Sequence, residues 1–241
     1  MYDLTKFSLR DMTECGVSLR KLGASAQSME EVANRIVHFF YKNFWDETTD
    51  TSAFALVRVF KTHSYAELLS ELQQAASTLS GEVEILETTK CLTLLASAGT
   101  LPEWNHRQGS RGHQAIPLIS EEMVARSPMI AQLIHQLGLE IHNVLTPDPD
   151  LLTDLEQRTY NVFHVQDAVG SPYVPAQEEF IVPYGVESVL GFGGVFPSGN
   201  LMAVILFSKL KIDRDTADMF KSLALNVKIA MLPFDRTTVF A

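Results

Sequence analysis

The chain has 241 residues, 46% of them apolar, and its 19 basic and 29 acidic residues leave a formal charge of −10. That apolar share excludes a disordered chain, and the negative balance disfavours a nucleic-acid or anionic-lipid surface, which needs clustered positive charge. No apolar run reaches the ~18–20 residues needed to cross a bilayer. The opening MYDLTKFSLRDMTEC has no signal-peptide stretch, so a cytoplasmic chain without membrane insertion is expected.

In chain order, Leu9, Met12, Leu19 and Leu22 lie at helical spacings, against the lowered propensity of Gly16. Residues 28–44 predict a helix. Ser28 and Glu31 fit a capping box, and Val32, Ile36, Phe39, Phe40 and Phe44 share an apolar face. AFALVRVFKT, 53–62, reads as a buried strand. Ser64 and Glu67 fit a second capping box ahead of a helix to about Thr78, and CLTLLASA, 91–98, is a second strand. GTLPEWNHRQGSRGH then reads as a long loop.

Ser120 is expected to cap EEMVAR, and Ser127–Pro128 to open the helix PMIAQLIHQLG, which closes at Gly138. IHNVL fits a short strand, and residues 148–158 a helix. YNVFHV is a strand, DAVGSPYVP a loop, and EEFIVPYG a helical turn ending at glycine. Two strands and a helix from about Asp213 to Leu232 follow.

GFGG, with Gly191, Gly193 and Gly194, lacks the G-x-G-x-x-G spacing of a dinucleotide turn, and no helical pattern follows it. VLGFGGVF and LMAVILF flank the turn PSGN and read as a hairpin. Cys15 and Cys91 form no CxxC pair and read as free, partly buried thiols. No metal-ligand spacing, nucleophile elbow or kinase signature occurs, so no catalytic residue is assigned.

The stretch from His164 to Lys209 resembles the second half of a GAF domain. Asp167 lies in a loop ahead of a short helix, Gly185, Val186 and Ser188 lead into a strand, and PSGN turns the hairpin. The helix 28–44 with AFALVRVF, and the closing KIDRDTADMFKSLALNVKIAML, are similar to that family's first helix, first strand and C-terminal helix. The resemblance covers about two-thirds of the chain. It implies an α+β fold: a GAF-like central antiparallel sheet, terminal helices packed on one face, and a helical or loop insertion. One domain over 1–241 is expected, with 1–27 as a helical extension and about 99–158 as the insertion.

The resemblance also implies a small-molecule pocket between the sheet and the loops of the C-terminal third. Its candidate residues are Cys91, Phe163, His164, Asp167, Tyr173, Phe180, Tyr184 and Phe192. These aromatics serve either core packing or a pocket wall, and His164 either touches a ligand or bonds to the loop backbone. His106, Arg107, Arg111 and His113 form either an anion-holding loop or a solvated one. Bilin-binding members of the family attach through a cysteine usually followed by histidine. Cys91 precedes Leu92 and Cys15 precedes Gly16, so no covalent bilin is expected. The signature of cyclic-nucleotide-binding members is not evident, and no cofactor is named.

Ala217, Phe220, Leu223, Ala224, Val227 and Met231 form one face of the last helix. That face packs on the chain's own sheet or, as the resemblance implies, the terminal helices pair in a homodimer. The expected function is a non-catalytic sensor in bacterial signal transduction, N-terminal to a histidine kinase or similar output. A ligand-free dimerisation module is the alternative.

Overall fold

A computed structural model describes residues 1–148 and 161–240. The helices α1 (Leu9–Lys21) and α2 (Met29–Asn43) come first. A two-stranded ribbon follows, β1 (Trp45–Asp46) with β2 (Thr51–Ser52). Next are β3 (Phe54–Ser64), α3 (Ser70–Ser80), β4 (Lys90–Gly99) and β5 (Ala115–Leu118). Three short helices, α4 (Glu121–Ala125), α5 (Pro128–Gln136) and α6 (Ile141–Leu145), precede β6 (Val162–Val165). The hairpin of β7 (Ser188–Val195) and β8 (Leu201–Ser208) leads to α7 (Arg214–Met231). The expected helix at 148–158 lies outside the described residues, apart from Asp148.

Six strands form one antiparallel sheet in the order β5-β4-β3-β8-β7-β6. One face carries α2 and α7, with α1 packed on α7. This is the α+β layout expected from the sequence, a central antiparallel sheet with the terminal helices on one face. Phe40, Phe44, Phe54, Phe192 and Phe220 fill the space between, each fully buried, and burial of one such side chain contributes about 1.5–3 kcal/mol. The opposite face is covered by α4–α6 and by the stretches around Trp104 and Phe180, over a second apolar core.

Local chemistry explains most boundaries. Ser28 Oγ accepts from the Glu31 N–H at 3.1 Å, opening α2. The Glu31 carboxylate accepts from the Gln27 N–H at 2.8 Å and not from Ser28, so only half of the expected box forms. Asp213 caps α7 by accepting from the Thr216 N–H at 2.7 Å. Ser120 accepts from the Met123 N–H at 3.2 Å. Gly16 sits where α1 meets α7: a Cβ there would lie 2.8 Å from Asn226 Nδ2. Asn226 Oδ1 also accepts from Arg20 Nε and Nη2 at 3.1 and 2.8 Å. The residue that weakens the helix thus permits its packing.

Two expectations are corrected. Ser64 and Glu67 close only a short turn over Tyr65–Glu67, and α3 starts separately after Leu69. IHNVL is helical and not a strand, because Ile141 and Val144, three apart, both bury against the second core. β5 is a strand that the residue pattern did not announce. It is four residues long, contains Pro117, and lies at the sheet edge, where a missing N–H is tolerated.

The GFGG cluster lies in β7, as the hairpin reading requires. A Cβ on Gly193 would stand 2.0 Å from the Met202 carbonyl oxygen, so β7 and β8 approach each other too closely for a side chain. A Cβ on Gly191 would meet Ile205, Leu133 and Phe163 at 2.9–3.1 Å. The room above Gly191 is therefore filled by packed side chains.

Candidate functional site

A cavity of about 1020 Å³ lies on the second face of the sheet. Its floor is built by period-two alternation. Leu56, Arg58 and Phe60 project from β3, Leu92 from β4, and Ile205 and Phe207 from β8. One wall comes from Trp104 and the turn Gly109–His113, another from Met123, Met129, Ile130 and Leu133, and a third from Tyr173, Glu179, Phe180 and Tyr184. The aromatic rings brace one another: Trp104 meets Tyr184 and Phe180 at centroid distances of 4.6 and 5.3 Å, and Phe180 meets Phe207 at 5.0 Å.

The third wall has irregular backbone. Ala176 holds φ +57°, in the left-handed region, which costs a non-glycine residue of order 1–3 kcal/mol. The next turn, Gln177–Ile181, is wide: the N–H groups of Ile181 and Val182 bond to the carbonyls five residues back, of Ala176 and Gln177. Such turns recur at functional sites.

Arg58 is the one basic residue on the floor. Its Nε is sealed from water without a hydrogen-bond partner, and it makes no ion pair among the described residues. Desolvation pulls its pKa down to about 10. Across the ladder its neighbours are Ser97 on β4 and Ile205 on β8. Ser97 Oγ is also buried without a partner, as is Ser110 Oγ in the wall. His113 bonds through Nδ1 to the Arg111 carbonyl at 2.7 Å. Desolvation lowers its pKa, with the charge on Arg58 adding to the effect.

Of the candidate pocket residues, Tyr173, Phe180 and Tyr184 line this cavity. Phe163 is buried in the same core, packed at Gly191 and off the cavity lining. Phe192 points to the other face, against Phe40 and Phe220. Cys91 sits in a separate cluster with Leu72 and Ala76, where burial pushes its thiol up to about 12. His164 bonds through Nε2 to the Ile212 carbonyl at 2.9 Å, beside α7, and desolvation lowers its pKa. Asp167 is exposed and pairs with Lys211 at 2.5 Å.

The loop candidates also divide. Arg111 and His113 line the cavity. Arg107 is buried and committed to Glu30 at 2.6 Å and Glu71 at 2.9 Å, with its guanidinium 5.5 Å from the Phe240 ring. His106 is exposed and off the lining. The residue pattern missed Arg58 and Trp104. A single arginine inside the apolar run AFALVRVF was the available signal, since alternation places it on the face shared by Leu56 and Phe60.

Among the described residues no cluster of three or more His, Cys, Asp or Glu side chains could hold a metal ion. No described helix is long and apolar enough to cross a membrane.

No protein-family model matches the chain, and no curated protein matches it. Three solved structures are similar in layout. One is a free methionine-R-sulfoxide reductase from Neisseria meningitidis in complex with its substrate: TM-score 0.49, 11% identity, 94% of this chain and 89% of that one. Another is the GAF domain of an Acinetobacter phosphoenolpyruvate-protein phosphotransferase: TM-score 0.41, 12% identity, 93% and 94%. The third is a bacteriophytochrome from the photosynthetic bacterium R. palustris: TM-score 0.38, 8% identity, 93% and 39%. All three TM-scores lie below 0.5, so the fold description rests on strand order and layering.

Proposed function

We propose that this chain is a non-catalytic, GAF-like sensor or regulatory module that binds a small molecule on the second face of its sheet. The carrying observation is the cavity itself: about 1020 Å³, with mostly apolar and aromatic walls and a few polar groups. The bound state is read out through α1 and α7, which lie on the opposite face or pack against it. The setting in bacterial signal transduction, ahead of a histidine kinase or similar output, belongs to this proposal and rests on the sequence resemblance.

The non-catalytic part is supported by the state of the thiols. Cys15 and Cys91 lie off the cavity, and burial pushes both up to about 12, which leaves almost no thiolate to act as nucleophile or redox group.

A thermal-shift screen with nucleotides, haem, bilins and small acids tests the reading. A ligand present at a hundred times its Kd stabilises by about 2.7 kcal/mol, so a true ligand raises Tm measurably. Silence across the screen favours the second reading, a dimerisation module. That reading draws on one observation: Leu225 and Ile229, four apart near the end of α7, and Leu232 just after it are all exposed. Light scattering of the wild type and of Leu225→Lys with Ile229→Lys separates a homodimer through this helix from a monomer.

A further inference from the structure

We propose that the cavity takes a small organic acid, a single carboxylate on an aliphatic or aromatic body, with the carboxylate seated on Arg58. The proposal rests on the ligand-binding reading above and adds the chemistry of the ligand. Arg58 projects from the central strand β3 into the cavity floor, and no acceptor among the described residues meets its guanidinium. The side chain is half-buried and its Nε is sealed from water without an acceptor, which is costly for a charged group. A carboxylate offers two coplanar oxygens that match the guanidinium fork.

The surroundings narrow the class. Ser110 in the wall is a hydroxyl without a partner and can donate to an oxygen acceptor; Ser97, directly across the β3–β4 ladder from Arg58, is likewise unpartnered but lies off the lining. The rest of the lining is mostly apolar, with Trp104 packed on Phe180 and Phe180 on Phe207 of the floor. Glu103 and Glu179 are exposed at the lining, and neither is ion-paired with Arg58. Arg126 is engaged by Glu122, and Arg111 is exposed. Arg111, His113 and Arg126 of the lining are exposed while Arg58 is half-buried on the floor, so one shielded cation in a mostly apolar chamber matches one negative charge. The volume leaves room for a body of drug-like size.

The test uses the full chain and matched probes by isothermal titration: octanoate against octanol, 3-phenylpropionate against 3-phenylpropanol, and octyl phosphate. In the wild type each acid is expected to bind at least about tenfold more tightly than its alcohol, the worth of a charge-assisted pair. Octyl phosphate is expected to bind more weakly than octanoate. Arg58→Gln should erase the acid preference while leaving alcohol binding within about threefold. The wild-type ratio stands even if the variant does not fold.

Acid and alcohol binding alike would overturn the assignment to Arg58 and leave the cavity reading intact. A retained preference in Arg58→Gln, or tighter binding of octyl phosphate, would overturn it too. Absence of binding by every probe would overturn the organic-acid assignment, while the thermal-shift screen tests the cavity reading by itself.

Discussion

Arg58→Met should make the protein more stable. The charged side chain is drawn down from an ordinary arginine pKa to about 10 by desolvation alone. Each tenfold change in an acid constant is about 1.4 kcal/mol, so this fall from ~12.5 corresponds to about 3 kcal/mol set against the folded state. The side chain is only partly buried and reaches cavity water, so about 2 kcal/mol is the expected gain. For a chain of this length that is roughly 4–8 °C in Tm. Methionine keeps the length of the aliphatic stem and removes the charge. The folded-state pKa is depressed, so the penalty is fully present below about pH 10 and is relieved only as pH rises through that value. The advantage of the variant should therefore be flat from pH 6 to 9. Urea unfolding at pH 6, 7 and 9 measures it. A variant less stable than wild type by more than about 1 kcal/mol would mean that the guanidinium has a partner in the folded chain, and the reasoning would fail.

Gly193→Ala places a Cβ 2.0 Å from the Met202 oxygen and should cost at least the roughly 1–3 kcal/mol of overpacking; an unchanged urea midpoint would show that β7 can move away from β8. His63 is buried with neither ring nitrogen bonded, and its pKa is held well below the usual value, chiefly by desolvation and then by Lys61 and Lys90. Stability is therefore lost as pH falls below about 6.5, where the unfolded imidazole takes up a proton that the buried ring resists. His63→Phe should abolish that loss, and parallel acid sensitivity in both proteins would refute it. Burial pulls Lys61 down to about 8, against the pull of Asp235 at 3.7 Å. Its penalty holds below pH 8 and is relieved as pH rises towards the unfolded value, so wild type should gain about 1–3 kcal/mol on Lys61→Met between pH 8 and 10; a constant difference would refute that.

How far the molecule was legible follows from how local each signal is. Caps and periodicity are local, so α2 and α7 were readable from Ser28 and Asp213 and from their apolar faces. IHNVL was not, because five apolar-rich residues satisfy both helix and strand, and only the covering core decides. The aromatic cluster between 160 and 192 was visible as composition. Its division was not, since Phe163 and Phe192 lie on different faces of one sheet, and facing depends on register. The anion site needed a further step. Arg58 stands out in its strand, but its lack of a partner is a property of the three walls, contributed by residues 46 to 126 positions further along the chain.

β3 joins the two sides of the molecule. On the cavity side it presents Leu56, Arg58 and Phe60. On the other side Val57 and Val59 enter the core shared with α2 and α7. Three residues beyond Arg58, Lys61 turns to Asp235 in the segment after α7, and His63 lies 5.3 Å from the Phe240 ring. The same strand thus carries two desolvated cations. The charge on Lys61 is met from within the chain by the residues that follow the last helix. Arg58 is left for a molecule from outside. A ligand moves the helices only so far as its affinity differs between their arrangements. The contacts through which such a difference would be expressed are those on the far side of β3: Lys61 with Asp235, His63 with Phe240, and Val57 and Val59 in the core shared with α2 and α7.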